Sequence, residues 1–210
     1  MPGEYPRRMF TDIYRWTGII FDYSGTQYDP PIFRFQAIQD ADQYSLNNEN
    51  DKALELYQDA IFSDKLEWWS EQRAEFTTQT FQVSPPSWPD ISPPPMDQIP
   101  DDITYEYNSL AAYAYYRIML LHFVHGYESD AGTVYNTLQE KFGADPYGRP
   151  YVEMATAFWE AYQSAHSVYD GCAAAIHYVN EHPAILIPLG SDYHGWQSHT
   201  YVPADVCPFR

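Results

Sequence analysis

The chain of 210 residues sets 11 Lys+Arg against 29 Asp+Glu, a formal net charge of −18, with 45% hydrophobic residues. That apolar fraction excludes a disordered acidic tail, and the length suffices for one sizeable core or two small ones. A surface this acidic repels phosphate backbones and anionic lipid heads, which excludes nucleic acid as a partner; with no stretch of ~20 apolar residues, membrane insertion is excluded too.

Taken in chain order, the opening MPGEYPRRMFTDIYRW lacks the apolar core of a signal peptide. Its first helical turn carries Phe10, Ile13, Tyr14 and Trp16 rather than a polar cap. Composition nevertheless fits an exported protein: 20 Tyr, 6 Trp and only three Lys (Lys52, Lys65, Lys141). Export implies a leader that is absent from this chain, and the expected location is extracellular or at a bacterial cell surface.

The clearest pattern covers 37–60, AIQDADQYSLNNENDKALELYQDA. Ala41, Tyr44, Ala53, Tyr57 and Ala60 fall where two antiparallel helices cross, and the polar run LNNENDK between them reads as a turn. KLEWWSEQ follows, with Trp68 and Trp69 adjacent. Neighbouring helical residues point about 100° apart, so both rings are buried only if the segment is covered on two sides. An exposed one is an interface anchor or a sugar-stacking platform, as are Trp88 and Trp196 further on.

The spacing of Ala41, Tyr44, Ala53, Tyr57 and Ala60 resembles the tetratricopeptide repeat, a helix–turn–helix of about 34 residues that stacks into a solenoid. The best unit is 34–67. A second candidate runs through YRIMLLHFVHGYESDAGTVYNTLQEKFGADP, with Gly126 and Tyr127 at the turn and Ala131, Tyr135 and Leu138 in the second helix. A third is VEMATAFWEAYQSAHSVYDGCAAAIHYVNEHP. A fourth, RWTGIIFDYSG, shows Gly18 and Gly25 seven apart, as in the turn-flanking half of the motif. The repeat style is similar to that of large secreted or surface-anchored bacterial proteins. The resemblance implies an all-α fold, a short solenoid of stacked hairpins that presents a concave face to other protein chains.

Four parts are thus expected: helical hairpins over 1–83, a Pro-rich extended strap over 84–104, further helical hairpins over 105–183, and an irregular tail over 184–210. The strap reads SPPSWPDISPPPMDQIPDD, which no helix can cross. It packs as a crossover, binds a Pro-recognising module, or carries O-linked sugars on Thr77, Thr78, Thr80, Ser84, Ser87 or Ser92. Two cysteines, Cys172 and Cys207, are either buried thiols or a disulfide that pins the tail.

Few groups point to chemistry. Asp192, His194 and His199 lie close together in the tail, where they bind a metal or pack as part of a strap with their rings bonded to backbone carbonyls. The sequence has no G-x-S-x-G elbow, P-loop, G-x-G-x-x-G or H-E-x-x-H motif. The expected protein is therefore non-enzymatic and needs no cofactor. Its uncapped ends point to homo-oligomers or a polymer, with head-to-tail contacts building a filament. The alternative is a glycan- or metal-binding surface module built on the exposed aromatics or on the Asp192/His194/His199 group.

Overall fold

The structure, a computed structural model, describes residues 8–69, 103–194, 197–207 and 209. Residues 84–102 of the Pro-rich strap, its Ser/Thr positions, Trp88 and Trp196 lie outside the described residues, while Ile103 and Thr104, expected in the strap, open a helix.

The chain is mostly helical, but it opens on a β-hairpin. Where the sequence reading placed a helical hairpin, β1 (Phe10–Trp16) and β2 (Phe21–Tyr28) pair antiparallel. The physical reason lies in the residues themselves. Aromatic side chains at positions 10, 14 and 16 and at 21, 23 and 28 suit a pleated surface better than a helix. Gly18, at φ 98°, turns the chain, and the Thr17 hydroxyl and N–H both donate to the Ile20 carbonyl across the turn. A bulge between Ile13 and Tyr14 leaves Ser24 without a partner, beside Gly25 at φ 147°. The seven-residue spacing of Gly18 and Gly25 thus serves a strand turn and a bulge, not a helix pair.

Helices α1 (Arg34–Leu46) and α2 (Asn50–Phe62) form the hairpin expected over 34–67. Ala41, Ala53, Tyr57 and Ala60 are fully buried where the two helices cross. Asn48, at φ 59°, supports the turn between them. Arg34 then reaches the far end of α2 and donates to the carbonyls of Ala60 (2.7 Å) and Ser63 (2.6 Å), two acceptors that the helix leaves open.

The central element is α3 (Ile103–Val124). Residues 109–121 are buried without interruption, as expected of a helix apolar on every side. It packs against α1, α2, α4 (Glu128–Phe142) and α5 (Arg149–Ala165). Asp145 organises the loop from α4 to α5. It accepts from the backbone N–H of Tyr147 (2.9 Å) and Gly148 (2.7 Å), while Asn108 on α3 donates to it at 2.8 Å. Helix α6 (Val168–Glu181) is capped by Ser167 and crosses α5 at Gly171, where a Cβ would lie 2.7 Å from the Phe158 ring. No described helix is long and apolar enough to cross a membrane.

The tail is not irregular throughout. A 3₁₀ segment (Pro183–Leu189) leads into strands β3 (Ser191–His194) and β4 (Gln197–Thr200), then a second 3₁₀ turn (Pro203–Val206). The Leu189 carbonyl accepts from Gln39 on α1 at 3.1 Å, and Cys172 on α6 is bonded to Cys207 as a disulfide. The segment 183–207 is therefore tied back to α1 and α6.

Candidate functional site

Two groups of residues stand out, one sealed inside and one exposed. The sealed group centres on Asp42 of α1. Its carboxylate lies 3.2 Å from the Arg117 guanidinium of α3, with side-chain exposures of 9% and 2%. Three phenols donate to it: Tyr57 of α2, Tyr113 of α3 (3.0 Å) and Tyr201 of the tail (2.9 Å). Arg117 also donates to the Asp205 carbonyl at 2.9 Å. Burial pushes the Asp42 carboxyl upward against the opposing pull of Arg117 and the phenols. Burial also works against the charge on Arg117, but Asp42 and the surrounding phenols more than offset it, so its pKa lies well above the ordinary arginine value. Burial raises Tyr57, Tyr113 and Tyr201 well above the ordinary phenol value. A perturbed cluster of this kind often marks an active centre, but this one is sealed from solvent. Its evident effect is to join α1, α2, α3 and the tail.

The exposed group is the β1–β2 hairpin, in which every residue of β1 is exposed. Its register arranges one face as four rows: Phe10 with Tyr28, Asp12 with Thr26, Tyr14 with Tyr23, and Trp16 with Phe21. The aromatic rows are real cross-strand contacts, with ring centroids 5.9, 5.8 and 5.0 Å apart. In the polar row Thr26 donates to Asp12 at 2.6 Å, and the Tyr23 and Thr26 hydroxyls are hydrogen-bonded at 2.7 Å. The opposite face carries Thr11, Ile13 and Arg15 against Gln27, Gly25 and Asp22. Ile19 and Ile20 at the turn are 85% and 60% exposed. At the base, Arg8 makes a bidentate contact with Asp40 of α1 (2.5 and 2.7 Å) and lies over the Tyr28 ring. An aromatic face of this extent left open to water is unusual for a folded chain.

The residues singled out from the sequence fare differently. Trp68 and Trp69 are half-buried against the body. Trp68 lies under the Arg34 guanidinium (4.3 Å) and edge-on to Tyr107 (5.5 Å), while Trp69 packs on Phe33 at 5.4 Å. Both rings hold the end of α2 to α1 and α3, so neither stands free as a platform. Asp192 and His199 are directly opposed in the β3–β4 pairing, and His194 faces Gln197. Among the described residues no group of three or more His, Cys, Asp or Glu could hold a metal ion.

A helical period over this segment hides the aromatic rows. The signal was present: aromatics or polar residues alternate at positions 10, 12, 14 and 16, and again at 21 and 23. Arg117 was also a signal, as a single guanidinium within the apolar run YYRIMLL that needs a buried acid nearby.

No protein-family model, curated protein or solved structure matches this chain.

Proposed function

We propose that the protein is a non-enzymatic helical-repeat protein that binds other protein chains, as a subunit of an extracellular or cell-surface assembly. The observation that carries this reading is the exposed aromatic face of the β1–β2 hairpin, which leaves Tyr14, Trp16, Phe21 and Tyr23 each more than half open to water. A two-stranded hairpin is marginal on its own and gains stability from a third layer, which a bound chain supplies. The antiparallel pairing of α1 with α2 supports a tetratricopeptide-like stack as the scaffold from which the hairpin projects. The Cys172–Cys207 disulfide supports an oxidising compartment.

The test is photo-crosslinking in cells that produce the protein. A benzophenone amino acid replaces Tyr23, or Lys141 on α4 as a control. Protein adducts heavier than 24.4 kDa from position 23 alone are expected. Equal adducts from both positions, or none from either, would remove the hairpin from the reading. A shift caused by polysaccharide, lost when Trp16 is replaced, would favour a glycan-binding module instead.

A further inference from the structure

Building on that reading, we infer that the aromatic face of the hairpin takes a second copy of this chain, packed face to face across a two-fold axis.

Three observations select a second copy. The first is charge. From residue 8 to residue 28 two arginines (Arg8, Arg15) balance two aspartates (Asp12, Asp22), so this segment is neutral on a chain of net charge −18. Two copies meeting elsewhere bring like charge together, whereas two hairpins do not. A partner chosen for the acidic surface would be basic, and nothing in the neutral hairpin selects for that.

The second is the order of the rows. A two-fold axis lying in the interface, perpendicular to the strands, sets the first row of one hairpin over the fourth of the other, and the second over the third. Phe10 and Tyr28 then meet Trp16 and Phe21 of the second copy, aromatic on aromatic. Asp12 and Thr26 meet Tyr14 and Tyr23 of the second copy, a carboxylate and a hydroxyl against two phenols. The polar row, a liability against a wholly apolar partner, thus finds a donor in its own counterpart, the Tyr14 hydroxyl, while Tyr23 donates to its own Thr26.

The third is area. Three spacings of about 6.8 Å between the four rows span about 20 Å, and the six rings, Tyr28 the least exposed of them, offer about 600 Å² per copy. Ile19 and Ile20 add to this and bring the contact near the ~800 Å² per partner of a stable interface. A contact of this type is isologous and closes at two copies.

The experiment is sedimentation of the full chain at several concentrations in low and high sodium chloride. The expected species is twice 24.4 kDa, with the dimer fraction rising as salt screens the repulsion between acidic bodies. Tyr14→Ser with Phe21→Ser should weaken association at least tenfold. Thr11→Ser with Ile13→Ser on the other face should leave it within about twofold. Far-UV circular dichroism and melting of each variant report the fold separately, and neither pair touches the helical core. A monomer at all concentrations, a dimer that dissolves with added salt, or association indifferent to Tyr14 and Phe21 would each overturn the inference. So would binding of phosphatidylcholine vesicles through the same residues in place of a dimer. Mass spectrometry of the position-23 adducts separates the two readings. Linkage to a different protein defeats the second copy but keeps the hairpin as a docking surface, and no adduct defeats both.

Discussion

Arg117 and Asp42, 75 positions apart in the chain, form an ion pair at 3.2 Å inside the protein. Removing one partner of such a pair leaves the other charge buried and uncompensated. Arg117→Met should therefore cost about 3–5 kcal/mol of unfolding free energy, read from a urea denaturation midpoint. Arg117→Met with Asp42→Asn should recover a large part of that loss. A loss from the single variant below about 1 kcal/mol would mean that Asp42 is already neutral in the folded protein.

Tyr113 and Tyr116 are three positions apart on α3 and both fully buried, yet they differ in one respect. The Tyr113 hydroxyl donates to Asp42, whereas the Tyr116 hydroxyl meets no partner among the described residues. Tyr116→Phe should leave stability unchanged or raise it, by up to about 1 kcal/mol, since it removes an unsatisfied buried group. Tyr113→Phe should lower it by about 1–2 kcal/mol, because a hydrogen bond to a charge is lost. Thermal melts of the two variants side by side decide this.

High pH should unfold the protein cooperatively. Tyr57, Tyr113, Tyr116 and Tyr201 are all buried, and burial raises each above the ordinary phenol pKa of 10.0. Above pH 10 the unfolded chain loses these protons while the folded chain keeps them. The unfolded state then binds fewer protons, and stability falls as pH rises, by about 1.4 kcal/mol per pH unit for each phenol. Absorbance near 295 nm should show tyrosinate appearing together with loss of helix. Ionisation of all the tyrosines without loss of helix would contradict the burial described here.

The disulfide should matter for stability more than for shape. It spans 35 residues, and on the chain-entropy model Cys207→Ser lowers stability by about 3–4 kcal/mol. The helical circular dichroism spectrum should persist at low temperature while the melting point falls. A melting point unmoved by Cys207→Ser or by reductant would show that the Tyr201 and Arg117 contacts hold the tail unaided.

How much of this was legible beforehand varies by element. The α1–α2 hairpin was, because Ala41, Ala53 and Ala60 mark the crossing of two helices and Tyr57 fills the space beside them. The β1–β2 hairpin was not. Its alternation is shifted by one residue at Ser24, and two glycines at a repeat-like spacing favoured the wrong period. Asp42 gave no sign of its role, since ADQY on a helix reads as a solvated face. Its importance depends on Tyr201, 159 residues away, which no local pattern predicts. Arg117 is the better clue, a lone guanidinium inside an apolar run.

The position of Tyr201 also bears on how the protein comes to be made. Asp42 emerges from the ribosome 159 residues before Tyr201, with Asp205 and Cys207 later still. Until they arrive, the acid in the first helical pair lacks one of its three phenols, Arg117 lacks its carbonyl acceptors, and Cys172 lacks its partner. The first helical hairpin can form during synthesis, but the core cannot be sealed until residues 201–207 follow. A chain cut after Thr200 would keep its α-helices and lose the clasp that joins them.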